Sequence, residues 1–116
     1  MAGAGQHVDE VALSELKKIM GDEFSTLVET FETDSVVRIE AITQAVTSAE
    51  PEEIRRAAHS FKGSAGNMGA TTLTELCRTM EERGHQGTAE GCVELLEQIV
   101  EEYAHVREAL HSLVKS

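Results

Sequence analysis

One histidine, with a lysine and two glycines on the same side of a predicted helix, is the part of the sequence best suited to chemistry. Lys62 lies three residues after His59, and Gly63 and Gly66 follow it. Glycine inside a helix costs roughly 1 kcal/mol relative to alanine, so this pair costs roughly 2 kcal/mol of a typical stability of about 5–15 kcal/mol. Packing seldom requires such a loss. We infer that an approaching surface needs bare backbone beside His59.

The chemistry open to His59 is nucleophilic attack on phosphorus, because a neutral imidazole nitrogen is a good nucleophile near neutral pH. Phosphoryl transfer depends mainly on positioning and charge stabilisation. A phosphorylated histidine therefore needs room for the donor, a nearby cation and an acceptor for its second ring N–H. Gly63 and Gly66 can provide the room, and Lys62 the cation. Glu81, beside the apolar stripe of the next predicted helix, is the candidate that orients the ring.

The predicted helix around His59 has one apolar and one polar face. At about 100° per residue, its core-facing stripe consists of Ile54, Ala57, Phe61, Ala65 and Met68. His59, the lysine and the glycines lie opposite, with Arg55 and Arg56 nearby. On a chain of net charge −11, this positive spot favours a phosphate or an acidic partner surface. Glu52 and Glu53 are expected to lie too close in sequence to these arginines to pair well with them.

The composition indicates one ordinary globular domain of 116 residues, with residues 1–7 predicted as a flexible leader and 8–116 as the domain. No apolar stretch approaches the ~20 residues that span a membrane, and the N-terminus lacks the pattern of a secretory signal. The acidic balance argues against nucleic-acid binding. Cys77 and Cys92 lack metal-ligand spacing, which favours a reduced, cytoplasmic protein.

Hydrophobic periodicity predicts helices and no strand. Four substantial amphipathic helices joined by short connections predict an all-α, antiparallel four-helix bundle, with a short extra N-terminal helix as a cap. The first three predicted helices run from Asp9 to Met20, from Asp22 to about Ser48 and from Pro51 to Gly69. The fourth opens with the capping box Thr72-x-x-Glu75 and ends at a turn over residues 83–87, and the fifth begins at Thr88. The first and last helices are expected to turn these residues inward: Val11/Ala12, Leu16, Ile19/Met20, Val93, Leu96, Ile99/Val100, Tyr103, Val106, Leu110 and Leu113/Val114.

The run from His59 to Gly69 resembles the motif of histidine phosphotransfer (Hpt) domains. That motif is His-x-x-Lys-Gly-Ser followed by small residues, Asn, an aliphatic residue and Gly; here these last positions are Ala65, Gly66, Asn67, Met68 and Gly69. The similarity covers roughly residues 8–114 and includes Phe31, Leu73, Cys77, Met80 and Glu81. Phe61 departs from it, since the family often has Leu there.

The resemblance implies a phosphocarrier without autokinase activity. His59 would accept a phosphoryl group from the aspartyl phosphate of a receiver domain and pass it to another receiver. Lys62 would neutralise charge, Gly63 would provide steric clearance, and Glu81 would orient the ring. The remaining candidates for partner binding are Arg55, Arg56, Ser64, Gly66 and Asn67, although Asn67 could instead end the helix.

The implied partners are receiver domains and a hybrid sensor kinase. The chain would be a monomer in the cytoplasm, without nucleic-acid or membrane partners. It would need no cofactor or metal of its own, because Mg²⁺ is expected only in the receiver.

Two alternatives stay open. The bundle could be an adaptor that is not phosphorylated and binds a signalling partner by shape and charge. For Gly63 and Gly66 alone, the alternative explanation is close helix packing through small residues, although they lie opposite the apolar stripe. More remotely, the bundle could be a helical regulatory domain with a metal or haem site. His105 and His111 lie six residues apart, which does not suit a helical metal pair.

Overall fold

The computed structural model describes residues 7–116, which form a bundle of helices. The helices are α1 Glu10–Met20, α2 Glu23–Thr47, α3 Pro51–Asn67, α4 Thr71–His85 and α5 Cys92–Lys115. Helix α2 packs on α3 and α5, and α4 packs on the same two helices, which closes a four-helix bundle. Helix α1 lies against α2 and α5. The prediction of a bundle with a short extra N-terminal helix is confirmed.

The predicted leader lies outside the described residues except for His7. Within residues 7–116, no helix combines the length and the apolarity needed to cross a membrane.

The core is mostly aliphatic and runs the length of the bundle. Its largest fully buried side chains are Phe24, Phe61, Ile42, Ile54, Leu73, Met80, Ile99, Leu110, Val28 and Val106. Burying one such side chain contributes about 1.5–3 kcal/mol, whereas each helix alone would be marginal. In α3, Ala58 is fully buried and the predicted Ala57 only partly, so the core stripe includes Ala58 in place of Ala57.

Two of the predicted helix starts differ from the structure, and a third lacks the predicted side-chain cap. Asp9 caps α1 as expected, because its Oδ1 accepts a hydrogen bond from the backbone N of Ala12 at 3.1 Å. Asp22 makes no such side-chain bond at α2. Helix α4 begins before Thr72, since the buried Ala70 is its N-cap. Helix α5 begins after a left-handed Gly91 (φ 78°), which leaves Thr88 in the preceding connection.

The turn predicted at residues 83–87 is shorter than expected, because α4 continues through His85. Gly84 therefore lies inside the helix. A Cβ atom on Gly84 would lie 2.5 Å from the carbonyl oxygen of Pro51 and 2.6 Å from the backbone N of Arg55. Helix α4 therefore approaches the first turns of α3 closely. This contact fixes the two helices so that Glu81, one turn earlier on α4, faces the side chains of α3.

The predicted inward faces of α1 and α5 are wrong in part. Val11 and Ile19 are 77% and 81% exposed, and Leu13 is buried instead. On α5, Val93 and Val100 are exposed. The buried stripe of α5 starts at the first helical residue and follows spacings of three and four: Cys92, Leu95, Ile99, Glu102, Val106 and Leu110.

Candidate functional site

A single carboxylate joins the imidazole of His59 and the ammonium of Lys62, both predicted from the sequence to form the site. Glu81 on α4 places Oε2 at 2.8 Å from Nδ1 of His59 and Oε1 at 2.7 Å from Nζ of Lys62. The carboxylate is mostly buried, with 18% of the side chain exposed, whereas the histidine ring is 65% exposed. The carboxylate of Glu81 is therefore held within the bundle, whereas the imidazole of His59 reaches into solvent.

The proton arrangement of His59 follows from the charge of Glu81. Burial raises the pKa of Glu81, but hydrogen bonds from Lys62 and His59 outweigh it and bring the pKa below its usual value. An ionised carboxylate only accepts hydrogen bonds. Nδ1 must therefore donate, and a neutral ring carries its lone pair on Nε2. Within residues 7–116, Nε2 has no hydrogen-bond partner.

The backbone next to the ring is open at Gly63. No heavy atom beyond its own helix lies within 4 Å of where a Cβ would stand, and Gly66 has only Thr74 Oγ1, at 3.9 Å. These glycines therefore do not serve close helix packing, unlike Gly84. Close helix packing, the alternative explanation for Gly63 and Gly66, is therefore wrong. The explanation that remains is clearance for a second molecule.

The two arginines near His59 are paired, contrary to expectation. Arg55 Nη2 lies 2.5 Å from Glu52 Oε2, and Arg56 lies 3.5 Å from Glu52 and 3.7 Å from Glu53. The spacings are three and four residues, which do meet on one helical face. The hydrogen bond from Arg55 lowers the pKa of Glu52. The positive spot is therefore weaker than the sequence alone suggests.

The other predicted binding residues occupy the end of α3. Ser64 Oγ donates to Asp34 Oδ2 at 3.4 Å, and Asp34 also pairs with Arg38 at 2.5 Å. Ser64 thus contacts α2. Asn67 is exposed and is the last residue of α3. Their part in binding a partner stays a prediction. The hydrogen bond between Ser64 and Asp34 was not predicted from the sequence. The spacing of four residues between Asp34 and Arg38 was a signal only for their ion pair.

Cys77 is fully buried one turn before Glu81 on α4. Burial raises the pKa of this thiol to about 12, so it stays protonated and unreactive. The described part of the chain contains no group of three or more His, Cys, Asp or Glu side chains arranged to hold a metal.

Comparison with known proteins agrees with this geometry. The family model described as Hpt domain matches residues 26–113. The chain belongs to the Hpt domain family. Its structure is similar to the crystal structure of histidine-containing phosphotransfer protein B (HptB) from Pseudomonas aeruginosa PAO1, with a TM-score of 0.88, 33% identity and 96% of each chain covered.

A curated plant relative of this Hpt domain is histidine-containing phosphotransfer protein 4 of Arabidopsis thaliana, 36% identical over 52 residues. That match spans 45% of this chain and only 41% of the plant protein. The predicted resemblance is confirmed. The chain is a histidine-containing phosphotransfer protein of phosphorelays, a phosphocarrier and not a catalytic enzyme. Hpt domains interact with receiver domains.

Proposed function

We propose that His59 accepts a phosphoryl group on Nε2 from the aspartyl phosphate of one receiver domain and passes it to another receiver. The observation that supports this most strongly is the ring itself, which is 65% exposed while Glu81 holds Nδ1 at 2.8 Å. That contact leaves the outward nitrogen as the nucleophile. Positioning of this kind is the main contribution that a protein makes to phosphoryl transfer.

The neighbours of His59 take complementary roles in this proposal. Gly63 lets the active site of the receiver come close to the ring, because nothing stands above its backbone. Lys62 balances the charge of the incoming phosphoryl group from the same helix. Arg55, Arg56, Ser64, Gly66 and Asn67 contribute to the surface on which the receiver docks.

The physiological partners in this proposal are response-regulator receivers and the receiver of a hybrid sensor kinase. The chain acts as a monomer in the cytoplasm. The receiver brings the Mg²⁺ that the transfer uses, because the carboxylate of Glu81 is already engaged by the ring and by Lys62.

The test is transfer from a phosphorylated receiver to the purified chain. We expect an acid-labile, base-stable label on the wild type and none on His59→Gln. His85→Gln is the matched control, since it replaces an exposed histidine at the end of α4 and should label normally. If no receiver in a broad panel labels the wild type, the proposal fails. Binding of receivers without any label would then favour the adaptor.

A further inference from the structure

A cation that was not predicted from the sequence to belong to the site lies beside the open backbone of α3. Arg78 is on α4, three residues before Glu81 and four residues after Thr74. We propose, building on the phosphotransfer function above, that Arg78 leaves its surface partner Glu75 after transfer and binds the phosphoryl oxygens on His59. This contact stabilises the phosphorylated chain and so raises its share of the phosphoryl groups.

Contacts on either side of Arg78 define its position on α4. Three residues later, Glu81 Oε2 lies 2.8 Å from Nδ1 of His59. Four residues earlier, Thr74 Oγ1 lies 3.9 Å from where a Cβ on Gly66 would stand. Residues at spacings of three and four share one face of a helix, so Arg78 lies between these two contacts and next to α3.

The space in front of this arginine is open. Along α3, Gly63 lies between His59 and Gly66, and no heavy atom beyond its own helix lies within 4 Å of where its Cβ would stand. The side chain of Arg78 can therefore cross from α4 toward the ring without displacing another side chain. The same space admits the receiver during transfer and is open again once the receiver has left.

The ion pair that Arg78 makes on its own helix is weak. Its Nε and Nη2 each lie 3.3 Å from an oxygen of Glu75, and the two side chains are 46% and 64% exposed. Within residues 7–116, Arg78 has no other partner. Because an exposed ion pair contributes little to stability, exchange of Glu75 for a stronger anion costs little.

The other cations near the ring are held more closely. Lys62 Nζ lies 2.7 Å from Glu81, and the lysine side chain is only 24% exposed. Arg55 Nη2 lies 2.5 Å from Glu52, and Arg56 lies within 4 Å of two carboxylates of its own helix. The guanidinium on α4 is therefore the cation most free to change its partner.

The phosphoryl group needs more positive charge than Lys62 supplies. A protein-bound phosphoryl group carries roughly −1.5 to −2 charges at neutral pH, whereas the single charge of Lys62 is already offset by Glu81. A planar guanidinium can donate two parallel hydrogen bonds to phosphoryl oxygens. No bond to phosphorus forms or breaks in this exchange, since Arg78 trades one anion for another and Glu75 returns to water.

The experiment measures the equilibrium distribution of phosphoryl groups between a receiver and the purified chain. This equilibrium constant depends only on the free energies of the separated proteins, so contacts made solely in the docked complex cancel from it. Arg78→Gln should shift the equilibrium toward the receiver by at least about threefold. Arg78→Lys should recover part of that shift, because it restores the charge without the planar pair of donors.

The partner of Arg78 supplies a second test of the exchange. Glu75→Gln should shift the equilibrium toward the chain, because it releases the arginine. The double variant Glu75→Gln with Arg78→Gln should match Arg78→Gln alone. Additive effects would show that the two side chains act as separate charges, which would overturn the exchange.

Arg107→Gln is the matched control, because it removes the same charge from an exposed arginine of α5 that pairs with Glu32 of α2. It should leave the equilibrium unchanged, and Arg78→Gln should unfold at the same urea concentration as the wild type. An unchanged equilibrium for Arg78→Gln would overturn the inference, while labelling of the wild type would still uphold the proposed function. Slower transfer at an unchanged equilibrium would mean that Arg78 contacts the receiver instead, which would also overturn it.

Discussion

Two histidine–carboxylate pairs in this molecule have the same contact distance and different surroundings. His59 Nδ1 lies 2.8 Å from Glu81, and His7 Nδ1 lies 2.8 Å from Glu102. The ring of His59 is 65% exposed and its carboxylate also binds Lys62. The ring of His7 is 30% exposed and stacks on His105, with centroids 4.6 Å apart. A paired imidazole is therefore not sufficient for chemistry, which also needs an open second nitrogen, a cation and clearance.

The pair at His7 has a structural task. It joins the segment before α1 to α5, where Glu102 is buried on the inner stripe. Val8 is buried beside it, and the backbone N of Asp9 donates to the carbonyl of Gly69 at 2.8 Å. The segment therefore fastens α1 to α5 and to the connection that follows α3. The histidine here gives a buried carboxylate a hydrogen-bond partner.

The largest expected effect separates the two histidines by function. His59→Gln should reduce phosphoryl uptake from a receiver to background, because no other described imidazole combines exposure, a lysine-bound carboxylate and open backbone. Its stability should change by less than about 0.5 kcal/mol, since the ring is exposed. Labelling and urea unfolding of the same preparation test both statements. Residual labelling of His59→Gln would show that a second acceptor exists.

The largest expected effect on stability contrasts two glycines. Gly84→Ala should destabilise the bundle by about 3 kcal/mol or more, since its Cβ would meet the backbone of Pro51 and Arg55 at 2.5–2.6 Å. The rigid helical backbone cannot yield there as a flexible side chain would. Urea unfolding checks the loss. Gly63→Ala, with open space around it, should instead raise stability by up to about 1 kcal/mol.

Loss of the structural pair should have an intermediate effect. His7→Ala should destabilise the fold by about 1–3 kcal/mol, because it leaves the buried carboxylate of Glu102 without its partner. Phosphoryl uptake at His59 should persist. His105→Ala removes only the stacked ring and should cost less than about 1 kcal/mol. Equal losses in the two variants would show that stacking, and not the ion pair, matters at this end of the bundle.

Clearance at Gly63 can be tested apart from stability. Gly63→Gln should slow transfer from a receiver by about tenfold or more, because a long side chain would fill the space beside the ring. The helix itself should be as stable as in the wild type or slightly more so. Stopped-flow transfer and thermal unfolding measure the two effects. If Gly63→Gln unfolds more easily but accepts phosphoryl groups at the normal rate, Gly63 serves helix packing and not clearance for the receiver.

Periodicity was sufficient to predict the number of helices and the side of α3 that faces solvent, because both depend on local spacing. The site residues His59, Lys62 and Gly63 share one helix, so their juxtaposition was also readable. What could not be read were contacts that depend on how helices approach each other. Gly84 looked like a turn residue because its close contact lies on α3. Likewise, the spacing of three and four on α5 includes Glu102 in the buried stripe, but nothing local indicated that its partner is a histidine 95 residues earlier.

The smallest expected effect is a pH dependence of stability. The pKa of Glu81 is lowered in the folded state, so this carboxylate contributes stability above its unfolded value of about 4.5, and the contribution is lost as the pH falls through the lower folded value. Since the site is partly open to solvent, the contribution should be below about 1 kcal/mol. Urea unfolding at about pH 7 and about pH 3 should therefore differ slightly less for Glu81→Gln than for Glu82→Gln, the exposed control. If the change in unfolding free energy between the two pH values is the same for both variants, the bridge between His59 and Lys62 organises the site without stabilising the fold. It would then differ further from the pair at His7, which is expected to stabilise the fold.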